Sequence, residues 1–461
     1  MTIESEALID KSSAASRSIS ASAIDIQFAN AAESIILPLP TASRFRWKVL
    51  LLIFLAITIN YIDRMVMGIV APTLRADFHI DAMAYGWITA AFSTCYAVGQ
   101  LISGKWLDRV GTRFGYGTAV GAWSLTSMLH AASRSIPGFI ALRAILGITE
   151  SPAYPGAVKT ISEWFPKRER AYAMGWANSG SCAGTIIALL LVPVISLHFG
   201  WRGAFLVTGA LGLLWLPLWI AFYRKPAEHR RVSAEELAYI NSDPFESTAS
   251  VPWRKLLLFR QTWGFALGKF CTDPIWAFYL FWLPTFLFDR FGILKTAIIV
   301  PTIAIYLMAD AGSVLGGWLS SMLIKRGYSI NRARKMTMLI CAVCTLPGVL
   351  IPLMPNLWST VLLVGIALAA HQGFASNLFT VVSDVFPRRA VGSVTGIGGL
   401  FGYMGYSLFG VLTGWILIFT HDNYIPIFVI CSLALSTSLI IIHLCMPRLE
   451  IAVIEDEVAP A

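Results

Sequence analysis

Charge is what this chain has least of. Asp, Glu, Lys and Arg make up 13% of 461 residues, about half of the roughly 25% usual in soluble domains, while 56% are hydrophobic. That balance excludes a soluble globular protein and implies an all-α polytopic membrane protein, because a helix satisfies its own backbone polar groups in hydrocarbon. Cysteine is sparse as well. The seven (Cys95, Cys182, Cys271, Cys341, Cys344, Cys431, Cys445) all fall in apolar runs, which excludes an extracellular disulfide framework. Cys341 and Cys344 form a C-x-x-C with no nearby histidine or second pair, so no metal or redox centre is implied. No nucleophile with its base and no metal cluster is evident, which argues against an enzyme and implies no cofactor. No basic face interleaved with aromatics is present, which argues against nucleic acid, and no substantial soluble signalling domain is present, which argues against a sensor.

What the chain does have is twelve apolar runs, each near or above the roughly 20 residues that cross a bilayer as helix. Six (47–70, 85–106, 114–132, 137–161, 171–197, 201–223) precede a polar stretch at 224–260, and six follow it (262–288, 296–323, 336–354, 357–383, 391–419, 424–445). The expected domains are a disordered tail 1–46, a six-helix bundle 47–223, a linker 224–260, a second bundle 261–446 and a tail 447–461. Membrane-flanking Lys and Arg number 24 on the side of the termini and linker against five on the other, which puts both termini in the cytoplasm. The same bias accounts for the net charge of +9. The lipid bilayer is therefore one partner, and a monomer is expected.

The halves look duplicated. Phe165-Pro166-Lys167-Arg168, followed by Gly175, Gly180 and Gly184, is echoed by Phe386-Pro387-Arg388-Arg389, followed by Gly396, Gly398 and Gly402. Likewise Gly104-Lys105-Trp106-Leu107 is echoed by Gly316-Gly317-Trp318-Leu319. Repeated halves place a substrate at their interface and admit alternating access by rocking. Glycines four apart, such as Gly180 and Gly184, read as close helix contacts. The run from Gly396 to Gly402 is not a dinucleotide fingerprint, because Phe401 takes the last glycine's place and no strand precedes it.

Four ionisable residues stand out within the first and fourth runs: Asp63, Arg64, Arg143 and Glu150. A charge at the bilayer centre costs roughly 2.5–3.5 kcal/mol or more, so such residues mark a site, here one for an anion and a proton. A planar guanidinium holds a carboxylate through two parallel hydrogen bonds, which makes Arg64 and Arg143 candidate clamps. The alternative is a helix-to-helix ion pair with Asp63 or Glu150. Glu150 lies two turns from Arg143, balanced between desolvation and a nearby cation, as a proton carrier must be. Hydroxyl partners and an aromatic wall can come from Tyr61, Tyr96, Trp276, Tyr279, Gln372 and Asn377, with helix packing as the alternative for each aromatic. Lys269 and Asp273, four apart, can pair with each other, and His371 can titrate or serve as a structural hydrogen-bonding group. Asp310, in the eighth run, is open between a structural and a gating carboxylate.

Residues 104–113, Gly-Lys-Trp-Leu-Asp-Arg-Val-Gly-Thr-Arg, resemble the loop signature between the second and third helices of the major facilitator superfamily. Asn60 to Arg64, Arg143 to Glu150, Lys269 to Trp276 and His371 to Phe379 resemble its anion:cation symporters, most closely bacterial hexuronate and galactonate permeases. The resemblance covers 47–447. It implies two pseudo-symmetric six-helix bundles with helices 1, 4, 7 and 10 lining a central cavity. It implies proton symport of a sugar-acid anion across a bacterial inner membrane, with a hexuronate as expected substrate and galactonate or another carboxylate as alternatives. It further implies Asp63 and Glu150 as the proton-coupling pair, Arg64 as the carboxylate ligand, and Asp108, Arg109 and Arg113 as a latch in which the aspartate meets a helix N-terminus of the other half.

Overall fold

The computed structural model describes residues 44–80, 82–243, 251–292, 299–421 and 423–452, and among them there is no strand. The first span is α1 (Phe45–Phe78), which starts two residues inside the stretch expected as tail. It is followed by α2 (Ala82–Val110) and α3 (Thr112–Leu129). The fourth span is broken in two. Ser135 caps α4 (Ile136–Glu150) by accepting from Gly138 N, Pro137 opens its first turn, and Pro152 separates it from α5 (Ala153–Trp164). Glu150 is thus the last residue before the break.

The fifth and sixth spans run on as α6 (Lys167–Phe222), kinked where Gly200 takes φ 68°, a left-handed backbone that a residue with Cβ adopts at a cost. The linker holds two short helices, α7 (Ala234–Ile240) and α8 (Trp253–Leu256). The second half comprises α9 (Arg260–Phe281) continued by α10 (Leu283–Phe291), then α11 (Ile299–Lys325) and α12 (Ile330–Thr345) with a 3-10 extension to Leu353. It ends with α13 (Leu357–Val385), α14 (Arg388–Phe419) and α15 (Ile425–Cys445). This is an all-α architecture of twelve spans in two six-helix bundles. Exposed leucines and isoleucines such as Leu197, Leu214, Ile418 and Ile440 face outward, as spans in lipid require.

The halves meet chiefly along two helix pairs, α2 with α14 and α6 with α11, with smaller contacts of α13 on α6 and of α14 on α5. At the face carrying the linker, the backbones touch. A Cβ on Gly104 would run into the carbonyl of Gly392, and one on Gly317 into that of Ala171. Gly396 likewise sits on the carbonyl of Gln100, and Gly175 on that of Ser313. The two sets are pseudo-symmetric, and they correct the register of one sequence echo. In space Gly104 corresponds to Gly317, one residue beyond the Gly316 that the repeated Trp-Leu suggests; Gly316 instead packs on Gly373 within its own half.

At the opposite face the halves stand apart. Gly68 and Gly410 line the space between them, and neither has any atom within 4 Å of where a Cβ would be. The molecule is closed at the linker face and open at the other.

Candidate functional site

Between the halves lies a cavity of about 820 Å³. Its polar wall on the first half is built around Arg64 of α1. The guanidinium donates to Glu150 Oε2 through Nη2 at 3.1 Å and Nε at 3.3 Å, to Asn60 Oδ1 at 3.2 Å, and across the cavity to the Tyr403 hydroxyl of α14 at 3.0 Å. Tyr61, Phe92 and Tyr96 surround it, with ring centroids 4.7–5.3 Å from its central carbon. Glu150 is fully buried behind it.

Arg143 of α4 differs. Its central carbon lies 4.4 Å from the centre of the Phe92 ring, whose centre is also 5.3 Å from that of Arg64, yet its buried Nε and Nη1 have no hydrogen-bond partner. An unsatisfied buried donor, above all a charged one, is costly, which sets this guanidinium apart from that of Arg64.

On the second half, Lys269 and Asp273 of α9 form an ion pair at 2.8 Å one helical turn apart, with the ammonium 4.3 Å from the centre of the Phe379 ring. His371 of α13 bonds through Nε2 to the Thr272 carbonyl at 3.0 Å and stacks parallel to Trp276. The floor is a chain of polar contacts running from the first half to the second. The Tyr61 and Tyr154 hydroxyls meet at 3.4 Å, Tyr154 donates to Asn178 at 3.0 Å, and the Asn178 amide reaches Gln372 at 3.4 Å.

Of the residues expected at the site, Tyr61, Arg64, Tyr96, Arg143, Lys269, Asp273, Trp276, His371 and Gln372 line the cavity. Three do not. Tyr279 is buried against Phe278 and Phe428 inside its own half. Asn377 donates to the carbonyls of Gly316 and Gly373, tying α13 to α11. Asp63 points away from the cavity and accepts from Ser127 of α3 at 3.0 Å. Asp310 lies on α11 off the cavity wall, with one buried carboxylate oxygen lacking a hydrogen-bond partner.

Sequence reasoning missed Tyr154, in the second piece of the fourth span, and Gln100, Asn178, Tyr403 and Tyr406, which bring α2, α6 and α14 into a wall expected, Tyr96 apart, from spans 1, 4, 7 and 10.

The closed face carries the expected contact of Asp108. Its Oδ2 accepts from the backbone N and the hydroxyl of Ser393, both at 2.7 Å, at the N-terminus of α14. The other oxygen pairs with Lys159 of α5, a lysine inside the fourth apolar run that the sequence displayed and that was overlooked. Arg109 is exposed, and Arg113, also exposed, donates to the Ile220 carbonyl of its own half. The cross-half bonds that accompany Asp108 come instead from Arg170, which donates to the Ser383 carbonyl, and from Arg334, which donates to the Lys167 carbonyl while paired with Asp384.

Two bundles closed at one face and parted at the other, with charged groups buried between them, are the architecture of a membrane transporter. The family model described as Major Facilitator Superfamily matches residues 53–410, and the chain belongs to that family. It is 32% identical over 376 residues to the hexuronate transporter of Escherichia coli (strain K12), covering 80% of this chain and 87% of the relative. To the D-galactonate transporter of E. coli O6:H1 it is 30% identical over 375 residues, covering 78% and 86%. A solved proton:xylose symporter bound to 6-bromo-6-deoxy-D-glucose superposes with a TM-score of 0.70 at 15% identity, over 86% of this chain and 94% of that one, a likeness of fold.

Proposed function

We propose that this protein imports a sugar-acid anion, a hexuronate, by proton symport across a bacterial inner membrane, with both termini and the linker face in the cytoplasm. The observation that carries this reading is the unpartnered guanidinium of Arg143 beside the Arg64–Glu150 ion pair, on a cavity closed at the linker face. Hexuronate and D-galactonate transporters among the relatives support a polyhydroxylated carboxylate. The 24 to five bias in flanking basic residues supports the orientation.

In this reading Arg143 attracts the carboxylate, and protonation of Glu150 frees Arg64 to join it. Glu150 Oε1, which has no hydrogen-bond partner, is where the proton would sit. Once the proton leaves, Glu150 reclaims Arg64 and the anion loses half its clamp. Asp63, one residue from Arg64 but facing α3, is then a second proton site behind the wall. The floor tyrosines, Gln372, His371 and Trp276 meet hydroxyls and the sugar face. Two carboxylates permit a second proton, which would add about 2.3 kcal/mol of driving force per 100 mV. No cofactor takes part, and the protein works as a monomer.

Uptake into proteoliposomes under an imposed pH gradient, across a panel of hexuronates, galactonate and aromatic carboxylates, tests the reading. Hexuronate accumulation that collapses with the gradient is expected. Absence of any sugar-acid uptake refutes it. Glu150→Gln should abolish uphill accumulation while counterflow exchange persists; normal accumulation by that variant would refute its coupling role.

A further inference from the structure

The charges on the cavity wall are unequally balanced. Arg64 is offset by Glu150 directly behind it, and Lys269 is offset by Asp273 at 2.8 Å. Arg143 alone among the wall's Arg and Lys side chains has no carboxylate within ion-pair distance. One cation is free, and it stands on the first half.

We infer that Asp273 sets the charge selectivity of the cavity: by neutralising Lys269 it confines transport to sugar acids with one carboxylate and excludes those with two. This rests on the sugar-acid reading above and deepens it. A six-carbon sugar with carboxylates at both ends, fully ionised at neutral pH, needs a cation on each side of the cavity. Arg143 on the first half receives one end. Among the described residues, the only Lys or Arg that the second half puts on the wall is Lys269, and its charge is already answered. A second carboxylate would also approach Asp273 itself, whose side chain is 21% exposed to the cavity, and like charges repel where water is scarce. A hexuronate presents a hydroxyl-bearing ring at that place instead. The pair supplies it with a donor from Lys269 and an acceptor from Asp273, the complement of a sugar hydroxyl. Like-charge rejection of the wrong ligand is how specificity is gained when attractive contacts are shared.

The rotamer space around the pair is tight. Gly402 of α14 faces Asp273, and a Cβ there would collide with its carboxylate, so Asp273 is held toward Lys269. Asn has the same shape without the charge.

The test compares wild type, Asp273→Asn and the double variant Lys269→Gln/Asp273→Asn in proteoliposomes. It measures inhibition of labelled hexuronate uptake by galactarate, a dicarboxylate, relative to inhibition by unlabelled hexuronate. In the wild type galactarate should compete poorly. Asp273→Asn should shift the ratio toward galactarate by about tenfold or more, the scale of one unshielded charge at short range. The double variant should lose that gain. If Asp273→Asn fails to reach the membrane folded, Asp273→Ser takes its place with the same expectation. An unchanged ratio in a variant that still takes up hexuronate would overturn the assignment alone, as would a gain that persists without Lys269. A wild type that transports no sugar acid would overturn the underlying reading, and this assignment with it.

Discussion

Arg64 of the first span and Tyr403 of the eleventh are joined by a 3.0 Å hydrogen bond that crosses the cavity from one half to the other. The remaining donors of Arg64 go to Glu150 and Asn60, so among the described residues the phenol is the one hydrogen-bond partner that the second half gives this cation. An entering carboxylate must share or displace it. In Tyr403→Phe the Nη1 donor loses its partner in the empty protein, at a cost of about 1.5–3 kcal/mol for a bond to a charged group. The substrate then recovers that energy on binding. The variant should bind hexuronate about tenfold tighter and turn over more slowly, because release becomes the harder step. Calorimetric affinity equal to that of the wild type would refute the competition.

Arg143 provides the complementary case. Its Nε and Nη1 have no protein partner to lose, so Arg143→Gln removes a charge that only the substrate answers. Affinity for hexuronate in detergent should fall by about 10- to 100-fold, the range for a charge-assisted bidentate contact, with little change in thermal stability. Arg64→Ala should lose binding and also destabilise the fold, because Glu150 is left buried without its partner; breaking such a pair costs about 3–5 kcal/mol. Equal stability losses in the two variants would contradict this division.

The charged part of the wall was legible in the sequence, whereas the neutral part was legible only in Tyr61, Tyr96, Trp276, His371 and Gln372. Arg64, Arg143, Lys269 and Asp273 announce themselves because a charge within an apolar run is expensive to keep. Tyr154 and Tyr403 carry no such signal, since a tyrosine serves equally in a core, an interfacial belt or a binding wall. Choosing between neighbours needed the helix phase. Gln372 and Asn377 are alike in chemistry, but five residues turn the helix about 140° past a full turn, so one faces the cavity and the other faces α11. Asp63 and Arg64 diverge for the same reason, being adjacent and so about 100° apart on α1. The broken fourth span was written in Pro152, yet its consequence, Tyr154 at the cavity floor, depends on where α5 is aimed by its contacts.

Asp108 holds the closed face by accepting from Ser393 in the second turn of α14 while paired with Lys159. Asp108→Asn removes the charge that answers both the helix N-terminus and the buried ammonium. The closed face should open, shifting the equilibrium by about 1.5–3 kcal/mol. A cysteine at Ser383, whose carbonyl accepts from Arg170 across the same seam, reports this in a background lacking the native cysteines. Its labelling by a membrane-impermeant thiol reagent from the linker side should rise in Asp108→Asn and stay low otherwise. Unaltered labelling would mean that the glycine contacts alone keep the face shut.

The linker is fastened beneath the first half by polar groups outside the membrane. Glu236 of α7 accepts from the backbone of Phe45 and Arg46 and pairs with the Arg46 guanidinium, while His229 packs its ring 4.1 Å from Phe45. The imidazole bonds through Nε2 to the Phe222 carbonyl and through Nδ1 to the backbone N–H of Arg231. Nδ1 must therefore be bare, and the ring neutral. Burial, followed by nearby Arg231 and Arg224, lowers its pKa below the ordinary 6.5. A lowered folded pKa means that the docked linker binds the proton more weakly than the undocked one. Its contribution to docking is full above pH 6.5 and is lost as pH falls below it. Hydrogen exchange across residues 226–243 should accelerate between pH 7.5 and pH 5.5 in the wild type, whereas His229→Gln, which cannot take up the proton, should show no such step once intrinsic rates are corrected. A step of equal size in both proteins would place the sensitivity outside this imidazole.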